Sequence, residues 1–373
     1  MKTTKYFFMA ALALMTAACS NDDNDQPTQQ PRKGDGITIT AQLAPKDGGA
    51  TTRAVSDQAT YIKAEWAVNE HIAILYEVSS TKYAADATIT AVDGTTGAAT
   101  ISFTVEGGTP DDTACTLVYP LSAAKDDHSG VKDAATLLAA QDGTLSANLD
   151  VRVGEGTIQT TTPSLTVTTQ PAAQFAIFKF TVKNSDASAT IDVKPLTVTI
   201  GSQDYVITPA SATSELYAAL PAVSDQTVSF TATDDRKTYA CSKDNITFAA
   251  GKYYQSTLKM ALDKITWNIF PTSSSASSFS QDGITLTAEC LNWHQHSVDA
   301  LDNSGKFMST VGNFTKIEIT AKEFSMGAGW TVSGNKATWA GTPSSTVTFK
   351  ATGYEAAIYW MEGTSPTMVF YFQ

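Results

Sequence analysis

The sequence predicts an all-β protein: tandem β-sandwiches followed by a further β-rich region. Three observations carry this. Short segments alternate apolar and polar residues, as in Ile37-Thr38-Ile39-Thr40-Ala41-Gln42-Leu43, the period of a strand with one buried face. Turn signals such as Asp93-Gly94 and Gly107-Gly108 punctuate those segments at sandwich-like spacing. Charged residues make up only 17% of the chain while Thr, Ser, Ala and Val are frequent, which suits strands with Thr-covered outer faces. A length of 373 residues fits two or three domains, each able to bury a core.

The first 18 residues read as a secretory signal: Lys2 and Lys5, then an apolar run over 6–15 too short to cross a bilayer of about 30 Å. Ala17-Ala18-Cys19 resembles a lipoprotein processing site, with Cys19 as the acylated first residue of the mature chain; Thr16 stands where Leu is commonest. Asp22, Asp23 and Asp25 resemble the acidic tract that sends some Gram-negative lipoproteins to the outer face of the outer membrane. Residues 19–35 lack apolar periodicity and read as a flexible tether. The membrane is therefore expected to be met only through the N-terminal lipid.

Residues 36–170 are expected to form the first sandwich. Its opening strand carries Ile37, Ile39 and Leu43 on one face and leads into a Gly- and Thr-rich loop around Arg53, a composition favoured by proteases. Trp66 precedes a turn at Asn69-Glu70 and a strand with Ile72, Ile74 and Tyr76 on one face. The spacing predicts one helix, over 131–141, with Leu137 and Leu138 on its apolar side. A second sandwich is expected over 171–262. It opens with the very apolar Phe175-Ala176-Ile177-Phe178-Lys179-Phe180 and closes with Gly251-Lys252-Tyr253-Tyr254. The third region, 263–373, begins with a linker-like Pro-Thr-Ser-rich stretch over 271–278. Its apolar C-terminal residues 368–372 read as a core strand rather than a donor strand for another molecule.

With 25 basic and 37 acidic residues, the net charge of -12 argues against nucleic acid and against adhesion to anionic lipid. Once Cys19 is assigned to lipid, Cys115, Cys241 and Cys290 remain, and no Cys-x-x-Cys pair suggests zinc. Buried thiols, or one disulfide with the pairing open, are the readings left. His294 and His296 would share one face of a strand, the weak beginning of a metal site; two exposed polar residues is the plainer reading. No nucleophile elbow, phosphate loop, dinucleotide fingerprint or calcium loop occurs, and the chain reads as non-enzymatic and free of cofactors. Five of six tryptophans lie in the third region. Trp330 and Trp339 flank a hairpin-like segment, and with Trp293 they are candidates for stacking on a glycan or anchoring a host protein, against the alternative that they fill the core.

The order of these segments over about 36–262 resembles the fimbrillin family, the subunits of type V pili. The likeness rests on the lipoprotein start, the early strand, Thr52-Arg53-Ala54, Trp66 with Ile72-Ala73-Ile74-Leu75-Tyr76, Val118-Tyr119-Pro120, the 175–180 strand and Gly251-Lys252-Tyr253-Tyr254. Asn69-Glu70 stands where members usually carry Gly-Asp. The resemblance implies two transthyretin-like or immunoglobulin-like sandwiches on a lipid-anchored, cell-surface chain. It also implies an arginine-specific protease cutting between Arg53 and Ala54 and removing the strand of Ile37, Ile39 and Leu43. Another pilus subunit then adds its own strand, the β-augmentation mode of assembly. The region after 262 is not covered by the resemblance and would suit a tip or accessory subunit. The alternative is a monomeric surface glycan-binding lipoprotein that uses the tryptophan-rich region.

Overall fold

A computed structural model describes residues 36–45, 56–57, 62–268, 276–292, 296–299, 305–350, 357–361 and 364–373. The chain is all-β, as expected, with antiparallel pairing dominant. The first sheet is built from β1 (Ile37–Leu43), β4 (His71–Val78), β5 (Thr81–Val92), β6 (Ala99–Val105), β7 (Thr113–Tyr119), β8 (Arg152–Gln159) and β9 (Ser164–Ala173); β2 (Ser56–Asp57) and β3 (Ile62–Lys63) form a separate short pair. Its hydrogen-bonded order is β1-β6-β5-β4-β7-β8-β9, and its two ends, β1 and β9, come back within 8 Å of each other. The sheet is thus rolled about one apolar core containing Ile39, Ile72, Ile89, Ile101, Leu117 and Ile158.

Strand β4 buries both faces. Ile72, Ile74 and Tyr76 face the first core, whereas Ala73 and Leu75 join a second core with Val118 of β7. That is why the sequence there is a continuous apolar run rather than an alternation. The connection from β7 to β8 seals this second contact. The helix expected over 131–141 is a single turn, α1 (Ala134–Leu137), capped by Asp133, whose carboxylate accepts from the Thr136 backbone N–H at 2.8 Å. It stops short because the following residues are used for docking. Leu138 is buried, and buried Gln141 pairs with the Ala219 backbone, donating to its carbonyl at 3.2 Å and accepting from its N–H at 2.7 Å.

The second block holds β10 (Phe175–Asn184), β11 (Leu196–Ile200), β12 (Gln203–Ile207), β13 (Glu215–Pro221), β14 (Val223–Asp234), β15 (Lys237–Phe248) and β16 (Tyr253–Trp267). One layer runs β12-β11-β14-β15; the other is β13-β10-β16, with β10 and β16 parallel. The expected boundary after residue 170 falls inside β9, and that after residue 262 falls inside β16. Strand β16 leaves the second block without a break and pairs at Lys264–Trp267 with β27 (Thr367–Phe372).

The third block comprises β17 (Ala276–Gln281), β18 (Ile284–Asn292), β19 (Ser297–Asp299), β20 (Gly305–Ser309), β21 (Phe314–Thr320), β22 (Glu323–Phe324), β23 (Trp330–Ser333), β24 (Lys336–Ser344), β25 (Thr346–Phe349), β26 (Ile358–Tyr359) and β27. Strand β27 lies between β16 and β21, with Met368 and Phe370 fully buried, and so is a central core strand. Arg236, at the β14–β15 turn, donates through Nε to Asp282 Oδ2 at 2.7 Å and ties the second block to the third.

Candidate functional site: the seat of the first strand

The alternation in β1 translates directly into burial. Ile37, Ile39, Ala41 and Leu43 are buried at 8%, 0%, 7% and 1% exposure, whereas Thr38, Thr40 and Gln42 face solvent. Their register on β6 runs from Ile37 opposite Val105 to Leu43 opposite Ala99. Gly36, at the entry, suits the close approach of β6, since a Cβ there would lie 2.5 Å from Thr104 Cγ2. Each fully buried Ile or Leu contributes about 1.5–3 kcal/mol, so the apolar face of β1 supplies roughly 5–9 kcal/mol to holding this strand.

Among the described residues, strand β1 is hydrogen-bonded along one side only, to β6, and stands at the end of the ladder. It is nevertheless not a loose rim. Its other side faces β9 across the rolled sheet, and its exit is clamped from both directions at Ala44. The Ala44 N–H donates to Gln170 Oε1 on β9 at 3.1 Å, and its carbonyl accepts from Trp66 Nε1 at 2.9 Å. The Trp66 ring is fixed in turn by an edge contact to Tyr119, with centroids 5.3 Å apart. Tyr119 donates its hydroxyl to Glu70 Oε1 at 2.7 Å, and Glu70 Oε2 accepts from the Ala67 N–H at 2.9 Å. Burial, with the Glu70 contact, raises the Tyr119 phenol far above its ordinary range, so it stays a donor. Asn69 takes a left-handed φ of 69° at this turn, a conformation Asn tolerates.

At the other end of β1, Ile37 borders a cavity shared with Thr109, Asp111 and Thr160. The Asp111 carboxylate accepts from the Thr160 and Thr161 backbone N–H groups at 2.5 and 2.9 Å and from both hydroxyls, which holds its pKa far below the usual carboxylate range. These bonds pin the β6–β7 connection to the β8–β9 turn beside the strand's entry. Loss of β1 would uncover the backbone edge of β6 together with an apolar trough, and the missing ladder is what a strand from elsewhere could replace.

The described residues bring together Ile37, Ile39 and Leu43 of the expected site and add Trp66, Gln170, Tyr119 and Glu70. Gln170 had no signal in the sequence, because a single Gln on a polar strand face looks like solvent-facing decoration. Cys19, Arg53, Ala54, Trp293 and His294 lie outside the described residues. His296 has a positive φ of 56° and places its ring 6.4 Å from that of Trp360, and no cluster of three metal-ligating groups occurs among the described residues.

For Trp330 the ligand-face expectation needs correction. It is directly opposite Trp339 across the β23–β24 hairpin, as the spacing suggested, but both project toward the third core. Trp330 is 9% exposed, packs near Phe307 and Phe349, and donates Nε1 to the Thr348 carbonyl at 3.1 Å, so its ring is closed to a sugar. Trp339 is half-buried against the same core, with its ring over Gly341. Cys115 is a free buried thiol pushed up to about 12 by burial, and Cys241 is a free, half-buried thiol; the Cys290 side chain is outside the described set.

No protein-family model matches the chain, and no curated protein matches it. Among solved structures, the chain is similar to a fimbrial assembly protein of Parabacteroides distasonis, with a TM-score of 0.34 and 12% identity over 60% of this chain and 90% of the other. It is also similar to a candidate cell-adhesion protein of Bacteroides uniformis, with a TM-score of 0.32 and 14% identity over 63% and 94% of the two chains. A fimbrial protein of Bacteroides ovatus is similar with a TM-score of 0.29 and 11% identity, over 60% of this chain and 50% of that one.

Proposed function

We propose that this chain is a cell-surface pilus subunit, tethered through lipid on Cys19, that assembles by strand replacement. Cleavage by an arginine-specific protease between Arg53 and Ala54 frees β1, and a strand from another subunit takes its seat on β6. The third block makes it a candidate tip or accessory subunit that mediates adhesion. One observation supports this reading above the others: β1 carries a buried apolar face yet, among the described residues, is hydrogen-bonded along one edge only. A strand held in that way leaves behind a defined apolar seat and one open ladder, without breaking a second ladder as it goes. Asn69-Glu70, the departure from the family pattern, builds the turn that braces Tyr119 and Trp66.

The test is digestion of the mature protein with an arginine-specific protease, followed by native gel and mass spectrometry. A cut after Arg53 and a concentration-dependent ladder are expected. A cut without oligomers, or resistance at Arg53, would refute strand replacement. A monomeric glycan-binding role rests on fewer residues than the sequence suggested, because Trp330 is in the core.

A further inference from the structure

The middle block contains a second place where a strand can be added, and it does not depend on β1 leaving. Strands β15 and β16 are joined by the short connection 249–252, so they should pair beside it. They do not. Their ladder spans only Lys237–Ala240 against Ala261–Ile265, the ends remote from the connection. From Tyr253 to Met260, β16 pairs with β10 in the opposite layer, while Cys241–Phe248 of β15 follow β14. The two strands therefore splay, and their facing edges border a cleft with a cavity of about 210 Å³.

Its floor is apolar: Phe178, Phe180, Leu220, Val228, Phe230 and Phe248. Phe178 stacks on Phe180 and on Tyr254 at centroid distances of 5.2 and 5.0 Å, so the floor is a fixed surface rather than a collapsed gap. One charged group lines the cleft. Lys243 reaches across it to Ser256 Oγ at 3.4 Å, a neutral partner, and no acidic residue lines the cavity. The two walls thus offer strand edges, the floor asks for apolar side chains at alternate positions, and the rim asks for a carboxylate.

We infer that the cleft between β15 and β16 binds an extended strand of another polypeptide, apolar at every second residue and carrying an acidic residue that meets Lys243.

The experiment uses the uncleaved chain, in which β1 still fills its own seat, so failure here is separate from failure of strand replacement. The probe is a fluorescein-labelled peptide with the sequence of residues 35–44, which has the required alternation and one Asp. Fluorescence anisotropy should show saturable binding. Lys243→Glu should weaken it at least fivefold, and a peptide with Asp35→Lys should recover the loss. Ile246→Glu, at the half-buried rim, should weaken both peptides, with near-UV circular dichroism confirming the fold. Decanoate is the competing small amphiphile. Binding of decanoate with none of peptide would overturn the proposal, as would binding of neither. Peptide binding indifferent to Lys243→Glu and Ile246→Glu would overturn it as well.

Discussion

Truncating Ile39 isolates the hold that β1 has on its seat. The side chain is fully buried, sits opposite Phe103, and belongs to the core of the rolled sheet. Ile39→Ala removes three carbons from a packed site, and such truncations cost about 2–5 kcal/mol. A loss near 3 kcal/mol would raise the population with β1 open by about a hundredfold, since about 1.4 kcal/mol is tenfold. Hydrogen exchange read by mass spectrometry can follow residues 37–43 separately from β10 (Phe175–Asn184), whose core is a different one. The expectation is a hundredfold or so faster exchange in β1, with β10 nearly unchanged. Thr38→Ala, on the exposed face, should change both by less than about 0.5 kcal/mol. If β10 accelerates as much as β1, the strand is not separable from the fold and the reasoning fails.

Trp66→Phe keeps an aromatic ring against Tyr119 but deletes the Nε1 donor to Ala44, which should ease opening at the exit of β1 by about 1 kcal/mol in the same exchange experiment. Gly154→Ala should destabilise the chain by about 1–3 kcal/mol in urea unfolding, because the new Cβ would lie 2.7 Å from the Thr169 carbonyl oxygen of β9. Glu318 is held down to about 2, first by Lys316 and then by Lys336, with the Tyr371 hydroxyl adding a bond. Its carboxylate therefore stabilises the folded state above the ordinary pKa near 4.5, and that contribution fades as pH falls from about 4.5 to 2. Glu318→Gln should flatten the loss of stability across that window, at a cost of about 1 kcal/mol at neutral pH. Cys115, buried and pushed up to about 12, should resist iodoacetamide in the native protein and react only on unfolding.

The period-two pattern made β1 and its inward residues legible, because one face is buried and the other solvated. The same logic found the turn at Asn69-Glu70, the β23–β24 hairpin and the C-terminal core strand. It failed where a segment is shaped by distant partners. The stretch over 131–141 has helical spacing, but docking of Leu138 and Gln141 on the second block limits the helix to one turn. Strands β9 and β16 run through the expected boundaries at 170 and 262; β16 does so with Leu258 and Met260 in the second core and Ile265 and Trp267 in the third. Tryptophan enrichment near the C-terminus signalled a core as readily as a ligand face, and Trp330 went to the core. The clamp on Ala44 could not have been read at all, because Gln170 is 126 positions away in sequence.

Locking β1 to β6 puts the whole scheme at risk in a single gel. Thr38 and Thr104 are directly opposite, with their hydroxyl oxygens 3.3 Å apart on the exposed face, so Thr38→Cys with Thr104→Cys can be bridged without entering the core. After arginine-specific cleavage, the oxidised double variant should stay monomeric, and adding dithiothreitol should release the ladder. Oligomers of equal length in the oxidised and reduced samples would show that assembly proceeds with β1 still in its seat.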